Sequence, residues 1–400
     1  MSRTPRVRVF EPFRNGRFSL YFSGQVVSNT GTWFQNLALS LVILDATGSA
    51  QALSGVTIAQ FLPLLVLSVP AGRLADRVRP RTILLATSLA SAAVVAGLAI
   101  ATAAPEPSIV AIYALVAALG TVHAFERVAA QAIIFEIVGP EGLGRAVSLS
   151  TIALASARSI GPGLAGIAFQ ALGATACMLI NSASFLLVFA SIVAIRPARL
   201  FPRPRRPDRP GRGIRPSFFT RELVTLLVVN ALVALLALNL MLVLTATVSL
   251  TFAGDATAVG ATHTLNALGA IAGGILAAGR DRVSVRSLIV ACGGLGAALL
   301  LNAAAPTLGI LLAVGPLLGL GVGYYQGILH AAAQVSVAPD QIGRTMSLVT
   351  LGNYGMVPFG ALLMGWVIDA EGGRVALMIG GLAALACAAF VAVRLRPQAG

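Results

Sequence analysis

Long apolar runs separated by short polar gaps dominate this chain. They fall near residues 17–44, 50–74, 82–103, 108–134, 146–170, 173–195, 222–249, 257–278, 287–304, 308–334, 345–368 and 375–393. A helix needs about 20 such residues to cross the hydrocarbon core of a bilayer. The runs are continuously apolar rather than alternating, which predicts helices and not barrel strands. Helices and closed barrels alone satisfy their own backbone groups in lipid. The pattern therefore predicts an all-α integral membrane protein with twelve transmembrane helices. Between the sixth and seventh runs, residues 196–221 are rich in Arg and carry Pro197, Pro202, Pro204, Pro207, Pro210 and Pro216. Those prolines prevent a helix, and nothing there is apolar enough to pack. This segment reads as a linker between an N-terminal bundle, 1–195, and a C-terminal bundle, 222–400.

The polar gaps contain two motifs that recur about half a chain apart. Asp76-Arg77-Val78-x-x-Arg81 returns as Asp281-Arg282-Val283-x-x-Arg286, an offset of 205. Pro140-Glu141-x-Leu143-Gly144-Arg145-x-x-Ser148-Leu149-x-Thr151 returns as Pro339-Asp340-x-Ile342-Gly343-Arg344-x-x-Ser347-Leu348-x-Thr350, an offset of 199. The first motif follows helices 2 and 8, and the second precedes helices 5 and 11. That equivalence is what a duplication of six helices requires. Two similar bundles facing each other can rock, as many transporters do.

Composition sharpens this picture. Charged residues make up 10% of the chain, against about 25% in soluble domains, too few to coat a soluble core of this size. Hydrophobic residues reach 57% and the mean hydropathy is +0.88. The net charge of +14 comes with no Lys at all. Of 28 arginines, 25 lie in the N-terminal tail, the even-to-odd gaps, the linker and the C-terminal tail. Arg374 alone lies on the other side, and Arg127 and Arg158 fall inside runs. Positive charge stays in the cytoplasm during insertion, so both termini are expected there. Topology thus accounts for the basic character without a nucleic-acid partner. A retention signal or an anionic-lipid patch is the alternative reading of the linker. The basic N-terminus leads into an apolar stretch with no early cleavage pattern, which reads as an uncleaved first helix. Cys177, Cys292 and Cys387 sit in apolar runs without metal or disulfide spacing. The histidines show no HxxxH or HxH spacing, so no metal site is expected. There is no phosphate-binding Gly-rich loop and no nucleophile–base constellation. Catalysis is not expected, and neither is a cofactor; a proton gradient is the expected energy source.

The loop Gly72-Arg73-Leu74-Ala75-Asp76-Arg77-Val78-Arg79-Pro80-Arg81 resembles the signature of the major facilitator superfamily between helices 2 and 3. It departs late, with Arg79-Pro80 where a Gly is common. Asn15-Gly16-Arg17-Phe18, Gly24-Gln25, Ser28-Asn29-Thr30-Gly31-Thr32-Trp33 and Thr47-Gly48-Ser49 are similar to a bacterial exporter branch of that superfamily, the branch of the enterobactin exporter and macrolide-efflux-like proteins. Arg158-x-x-Gly161-Pro162-x-x-Ala165-Gly166 resembles its antiporter motif in helix 5. Ala130 stands where the branch often has a basic residue, and Arg127 is the nearest substitute. The resemblance implies the major facilitator fold, and it favours export. It also implies that Asp76 meets the start of helix 11.

Candidate residues follow from these patterns. Gly72, Asp76, Arg77, Arg81, Asp281, Arg282, Arg286 and Asp340 form an expected latch between the halves on the cytoplasmic side, favouring an outward-open state. Gly72 is expected at a close helix approach. The alternative is that these charges only mark a face. Gly161-Pro162 predicts a bend in helix 5, and Gly163 and Gly166 keep it slim. That region is either a packing or flexing device or, by resemblance, part of antiport coupling. Ionisable groups within the bilayer are costly and usually face an interior or cavity. Glu126 lies about 12 Å, and Arg158 about 18 Å, from the cytoplasmic ends of their helices. His123 shares a helix face with Glu126 and Arg127. Glu126 with His123 is expected to carry the driving proton, tuned by Arg158 and flanked by Arg127; a static staple between helices is the alternative.

Gln25, Asn29, Thr32 and Asn36 form one face of helix 1, bordered by Trp33. With His263 and Asn266, Gln326 and His330, and Tyr354, they outline an expected substrate cavity, or else interhelical glue. Asn230 and Asn239 lie on opposite faces of helix 7, so at most one lines it. The expected function is proton-coupled export of a small or medium organic molecule by a monomer in the lipid bilayer. An importer of the same fold, or a lipid-handling or sensor protein, are the alternatives.

Overall fold

The computed structural model of the chain describes residues 11–197, 200–201, 219–280, 284–338 and 341–395, without the side chains of Glu11 and Asp76. The described residues are almost all helical and contain no strand. After a 3-10 turn at Glu11–Arg14 come α1 Gly16–Thr47, α2 Ala50–Arg77 and α3 Pro80–Ala103. A run of 86 residues, Ile109–Ala194, has non-helical backbone only at Gly139 and Gly173. These breaks divide it into α4 (109–138), α5 (140–172) and α6 (174–194). The second half has α7 Arg221–Thr251, α8 Ala256–Ala278, α9 Val285–Ala303, α10 Leu308–Val335, α11 Ile342–Glu371 and α12 Gly373–Arg394. Counting the 86-residue run once, nine helices among the described residues are long and apolar enough to span a membrane. α1 is not one of the nine, because polar residues such as Gln25, Asn29, Gln35 and Asn36 dilute it.

The 86-residue run folds back on itself: the ring of His123 in α4 lies 6.2 Å from that of Phe185 in α6. On a straight helix those residues would stand about 93 Å apart. Both breaks are made by single glycines, with φ of 73° at Gly139 and 80° at Gly173. Pro140 reinforces the first, since its ring suits the opening of a helix and its nitrogen has no proton to donate. The loop expected at 135–145 is therefore absent; its residues extend α4 and α5. Elsewhere Ser49, Ser108, Thr220, Asp255 and Thr307 cap helix starts with their side chains, satisfying amides that lipid would leave bare.

α7 departs from the expected single helix at 222–249. It runs as Arg221–Leu236, breaks, resumes as Leu240–Ala246 and ends in a π-turn at Thr247–Thr251. The freed carbonyls of Ala234 and Leu235 accept from the Asn239 amide at 3.2 Å each. Asn230 donates to the Val349 carbonyl of α11 at 2.8 Å. Both asparagines are buried, so both act within the helix packing.

Within the N-terminal bundle, α1 and α3 pack against the α4–α6 run; within the C-terminal bundle, α8 packs on α10 and α9 on α12. The bundles meet where α5 crosses α8 and where α2 crosses α11. The periphery is apolar and uncovered: Ile100 is 76% and Val110 78% exposed. Such exposure suits hydrocarbon rather than water. Of the linker, residues 202–218 lie outside the described residues.

The glycine breaks give a test of this chain path. A Cβ added at Gly173 would meet nothing within 4 Å, so Gly173→Ala isolates backbone strain, about 1–3 kcal/mol for this φ/ψ region. Helical Gly144 is equally unobstructed, and Gly144→Ala should stabilise by up to about 1 kcal/mol. Thermal unfolding in detergent should show the two substitutions moving Tm in opposite directions.

Candidate functional site

Four helices build the junction between the halves, and the sequence of each explains its close approach. On α5, a Cβ at Gly166 would strike the start of α8 at Ala256 and Thr257, and one at Gly163 would meet Thr264 Oγ1 at 2.8 Å. Reciprocally, a Cβ at Gly260 of α8 would strike the carbonyl of Pro162. Gly161 faces the other way, onto the ring of Trp33 in α1, where a Cβ would come within 2.7 Å. The Gly161-Pro162 motif is thus wedged between α1 and the opposite half.

The second junction repeats the device. Gly365 of α11 admits the start of α2, with the Ala50 carbonyl at 2.9 Å and Ser54 Cβ at 3.0 Å from its would-be Cβ. Gly365 lies 199 positions after Gly166, the same offset as the repeated polar motif. Beside it, Asp369 accepts from Ser49 Oγ at 2.5 Å, from the Ala50 amide at 2.6 Å and from the Gln51 amide at 3.1 Å. A carboxylate of one half therefore caps a helix of the other. The sequence pattern did not reveal Asp369, Gly365 or Gly260; the 199 offset was the signal that reaches Gly365.

These contacts gather at the face opposite the termini. Toward the termini, Leu62, Val66 and Val69 of α2, Ile152 and Leu154 of α5, and Leu351 of α11 are exposed. At mid-depth Tyr354 of α11 stacks on Phe61 of α2 at 6.4 Å, and the Arg127 guanidinium of α4 lies 5.5 Å from the Tyr354 ring centre. The molecule is closed at one face and parted at the arginine-rich one.

His123 and Glu126 face each other at 3.8 Å, both half-buried, and the charge of Arg127 acts on both. No ion pair joins Arg158 to Glu126 among the described residues. Arg158 is exposed, and its charge acts instead on His263 of α8. His263 is buried and hydrogen-bonded to Thr245 of α7 at 2.9 Å, so it also joins helices. Gln25, Asn29, Thr32, Trp33 and Asn36 are half-buried along α1, as are Asn266, Gln326 and His330 in the other half, while Tyr354 is exposed. Thr32 is occupied by its own helix, donating to the Ser28 carbonyl at 2.9 Å. The amide nitrogen of Asn266 is buried without a hydrogen-bond partner among the described residues, a donor suited to an acceptor group on a ligand, whereas the Gln25 side chain lies against the Tyr21 hydroxyl. In α1 it is Gln35, not the neighbouring Asn36, that ties into the bundle, accepting from Asn181 of α6 at 2.7 Å. Gly319 and Gly323 of α10 press on the backbone of α8 at Asn266 and Ala270, which assigns that glycine row to packing.

At the arginine-rich face, Asp281, Arg282, Asp340 and the side chain of Asp76 lie outside the described residues. Arg81 hydrogen-bonds the Ile195 and Val193 carbonyls at 3.3 Å each, a cation at the end of α6 within its own half. Arg77 and Arg286 are exposed. The close approach expected at Gly72 is not made: nothing lies within 4 Å of a Cβ there, because the halves are parted at this end. Among the described residues no three of His, Cys, Asp and Glu gather as metal ligands.

Two helical bundles joined by paired seams, closed at one face and parted at the other, have the architecture of a transporter of the major facilitator type. The chain belongs to the transmembrane secretion effector family of that superfamily, whose model matches residues 7–399. It is similar to macrolide efflux protein A of Streptococcus pyogenes, 23% identical over 386 residues, covering 90% of this chain and 92% of that protein. It is 31% identical to the staphyloferrin A transporter of Staphylococcus aureus over 150 residues, 37% of each chain. Its fold resembles a bacterial homologue of the iron transporter ferroportin in its inward-facing state, with a TM-score of 0.73 at 14% identity over 96% of this chain and 99% of the other. The family and these relatives are transporters, and so is this multi-pass membrane protein; it is not an enzyme.

The Asp369 cap is directly testable. Asp369→Ala removes three accepted hydrogen bonds and should weaken closure by about 1 kcal/mol, roughly fivefold in the opened population. Ser54 is fully buried beneath the seam. Ser54→Cys should be labelled by maleimide about five times faster in the Asp369→Ala background, and an unchanged rate would remove the cap from the closure.

Proposed function

We propose that the protein exports a small or medium amphipathic organic molecule across the bacterial cytoplasmic membrane in exchange for protons. The observation that carries this reading is the half-buried His123–Glu126 pair at 3.8 Å, set within a membrane span beside a chamber parted toward the arginine-rich face. An imidazole and a carboxylate at that distance form a site that can take up or release a proton as the surroundings change from water-filled to closed. Arg127 links the site to the opposite half, since its guanidinium lies over Tyr354 of α11. A charge change at Glu126 is thereby felt at the junction that must move.

The excess of arginine at the parted face supports a cytoplasmic location for it and for both termini. Substrate would enter from that side and meet an apolar chamber in which the Asn266 amide offers an unpaired donor. Opening the opposite face requires releasing Gly166 from α8 and Gly365 and Asp369 from α2. The matching closure at the cytoplasmic face falls to the Asp76, Arg77 and Asp340 region. Direction is supported by the name of one relative, a macrolide efflux protein.

The test uses inverted vesicles holding an acid interior, with a pH-sensitive dye and a panel of macrolides and carboxylate chelators. A transported compound should dissipate the gradient, and Glu126→Gln should slow that dissipation at least tenfold at equal membrane abundance. Normal substrate-driven proton release by Glu126→Gln would remove Glu126 from the mechanism. Lower accumulation of the compound in intact cells after an uncoupler is added would overturn export.

A further inference from the structure

Away from the central chamber, a groove of about 820 Å³ opens on the outer side of the C-terminal bundle. α10 forms its floor, and α8 and α9 form its walls. Along α9 the lining runs from Val290 to Leu301, about 16 Å at 1.5 Å per residue, which is about half of a 30 Å hydrocarbon core. Val290 stands five residues inside the arginine-rich start of α9 and Leu301 two residues before its far end, so the groove passes mid-membrane and suits one extended acyl chain whose headgroup stays at Arg280. It opens at the end of α8 that lies on the arginine-rich face, where Arg280 lines it. Leu301 and Leu317 line its far end.

Two polar groups stand at the arginine-rich end of this otherwise apolar trough. Arg280 is exposed, and its guanidinium lies 5.8 Å from the centre of the Tyr324 ring. No carboxylate is within ion-pair distance of it among the described residues. Tyr324 is 9% exposed, lines the same groove, and its hydroxyl is buried without a hydrogen-bond partner among the described residues. A buried hydroxyl left unpaired is costly unless something outside the chain completes it. A fixed cation next to it adds a preference for negative charge.

We propose that this groove holds one anionic phospholipid of the leaflet on the arginine-rich side, its phosphate at Arg280 and the Tyr324 hydroxyl and one acyl chain along α9. Arg280 donates to a phosphate oxygen, and the tyrosine hydroxyl donates to another. Gly294 keeps the α9 wall low where the chain lies, and Gly321 lets α9 pack close to the α10 floor at Leu295. Basic pockets between transmembrane helices recognise lipid headgroups by this chemistry. Because α8 also forms a seam with α5, and α10 packs against α8 through Gly319 and Gly323, a lipid wedged here braces the helices that must move as a unit.

The test measures lipid carried by the full-length protein in native mass spectrometry, from mixed micelles with equal dioleoyl phosphatidylglycerol and dioleoyl phosphatidylcholine. The wild type should retain one phosphatidylglycerol at several times the occupancy of phosphatidylcholine. Arg280→Gln should bring the two to parity, Arg280→Lys should keep the preference, and Tyr324→Phe should lower occupancy several-fold without lowering Tm. A photoactivatable acyl chain should cross-link within 285–303. Equal retention of both lipids by the wild type, an unchanged preference in Arg280→Gln, or cross-links confined to α1 and α4 would overturn the site. Displacement of the lipid by a transported macrolide would also overturn it, by making the groove a substrate port. None of these readings depends on proton coupling or on the direction of transport.

Discussion

Helix backbones in this protein touch where glycine leaves no side chain between them, and the architecture depends on that approach. In lipid there is no hydrophobic drive to bring helices together, so contact rests on close van der Waals packing and a few hydrogen bonds. Gly166 and Gly260 bring α5 onto α8, and Gly365 brings α11 onto α2. Gly269 and Gly273 interlock with Gly319 and Gly323 to bind α8 to α10. The first two contacts join the halves, while the last builds one half. The same chemistry thus makes both a rigid bundle and a separable seam. The difference is extent: α8 and α10 engage over successive turns, whereas the seams engage near one end of each helix. A seam of short-range contacts with few polar links can part without exposing unpaired groups to lipid.

Charges are placed where that separability can be controlled. His123, Glu126 and Arg127 sit on α4 beside the chamber, and Arg127 reaches Tyr354 across the junction. Arg158 stands on α5, one helix of a seam, and its charge acts on His263 of the facing α8. Each intramembrane arginine therefore acts across the boundary between the halves. Arg81, by contrast, stays within its own half by closing off the last carbonyls of α6. This division separates charges that lie at the boundary between the halves from charges that secure one bundle.

Most of the fold was legible in the sequence because lipid leaves few alternatives: long apolar runs become helices, and arginine asymmetry orders them. Gly161, Pro162 and Gly166 were legible as a motif, although their partners Trp33 and Gly260 were not. The break in α7 was invisible, since its residues are as apolar as those of any continuous helix and Asn239 repairs the gap from within. The turn at Gly139 was hidden for a related reason: a single Gly-Pro pair does the work expected of an eleven-residue loop. Asp369 escaped because an acid at a helix end is ordinary, and only the three-dimensional seam places it on the amides of Ser49's helix. Arg158 was expected beside Glu126 on the depth of each residue alone. Depth does not specify the direction around a helix, and rotation turns Arg158 toward α8.

The two ends of α2 relate the observed closure to the expected one. At its start, the amides of Ala50 and Gln51 are capped by Asp369, which sits at the end of α11. At its other end α2 carries Asp76, which the resemblance to the superfamily places at the start of α11 when the arginine-rich face closes. α2 and α11 would then exchange roles: each contributes a carboxylate from its end and an amide-bearing start. Both helices cannot satisfy both pairs if they pivot about the mid-depth contact of Phe61 with Tyr354. Capping one end then lengthens the distance at the other. In the proposed export cycle, helix-end electrostatics at α2 and α11 would hold whichever face is closed, and the proton at Glu126 would bias which one that is.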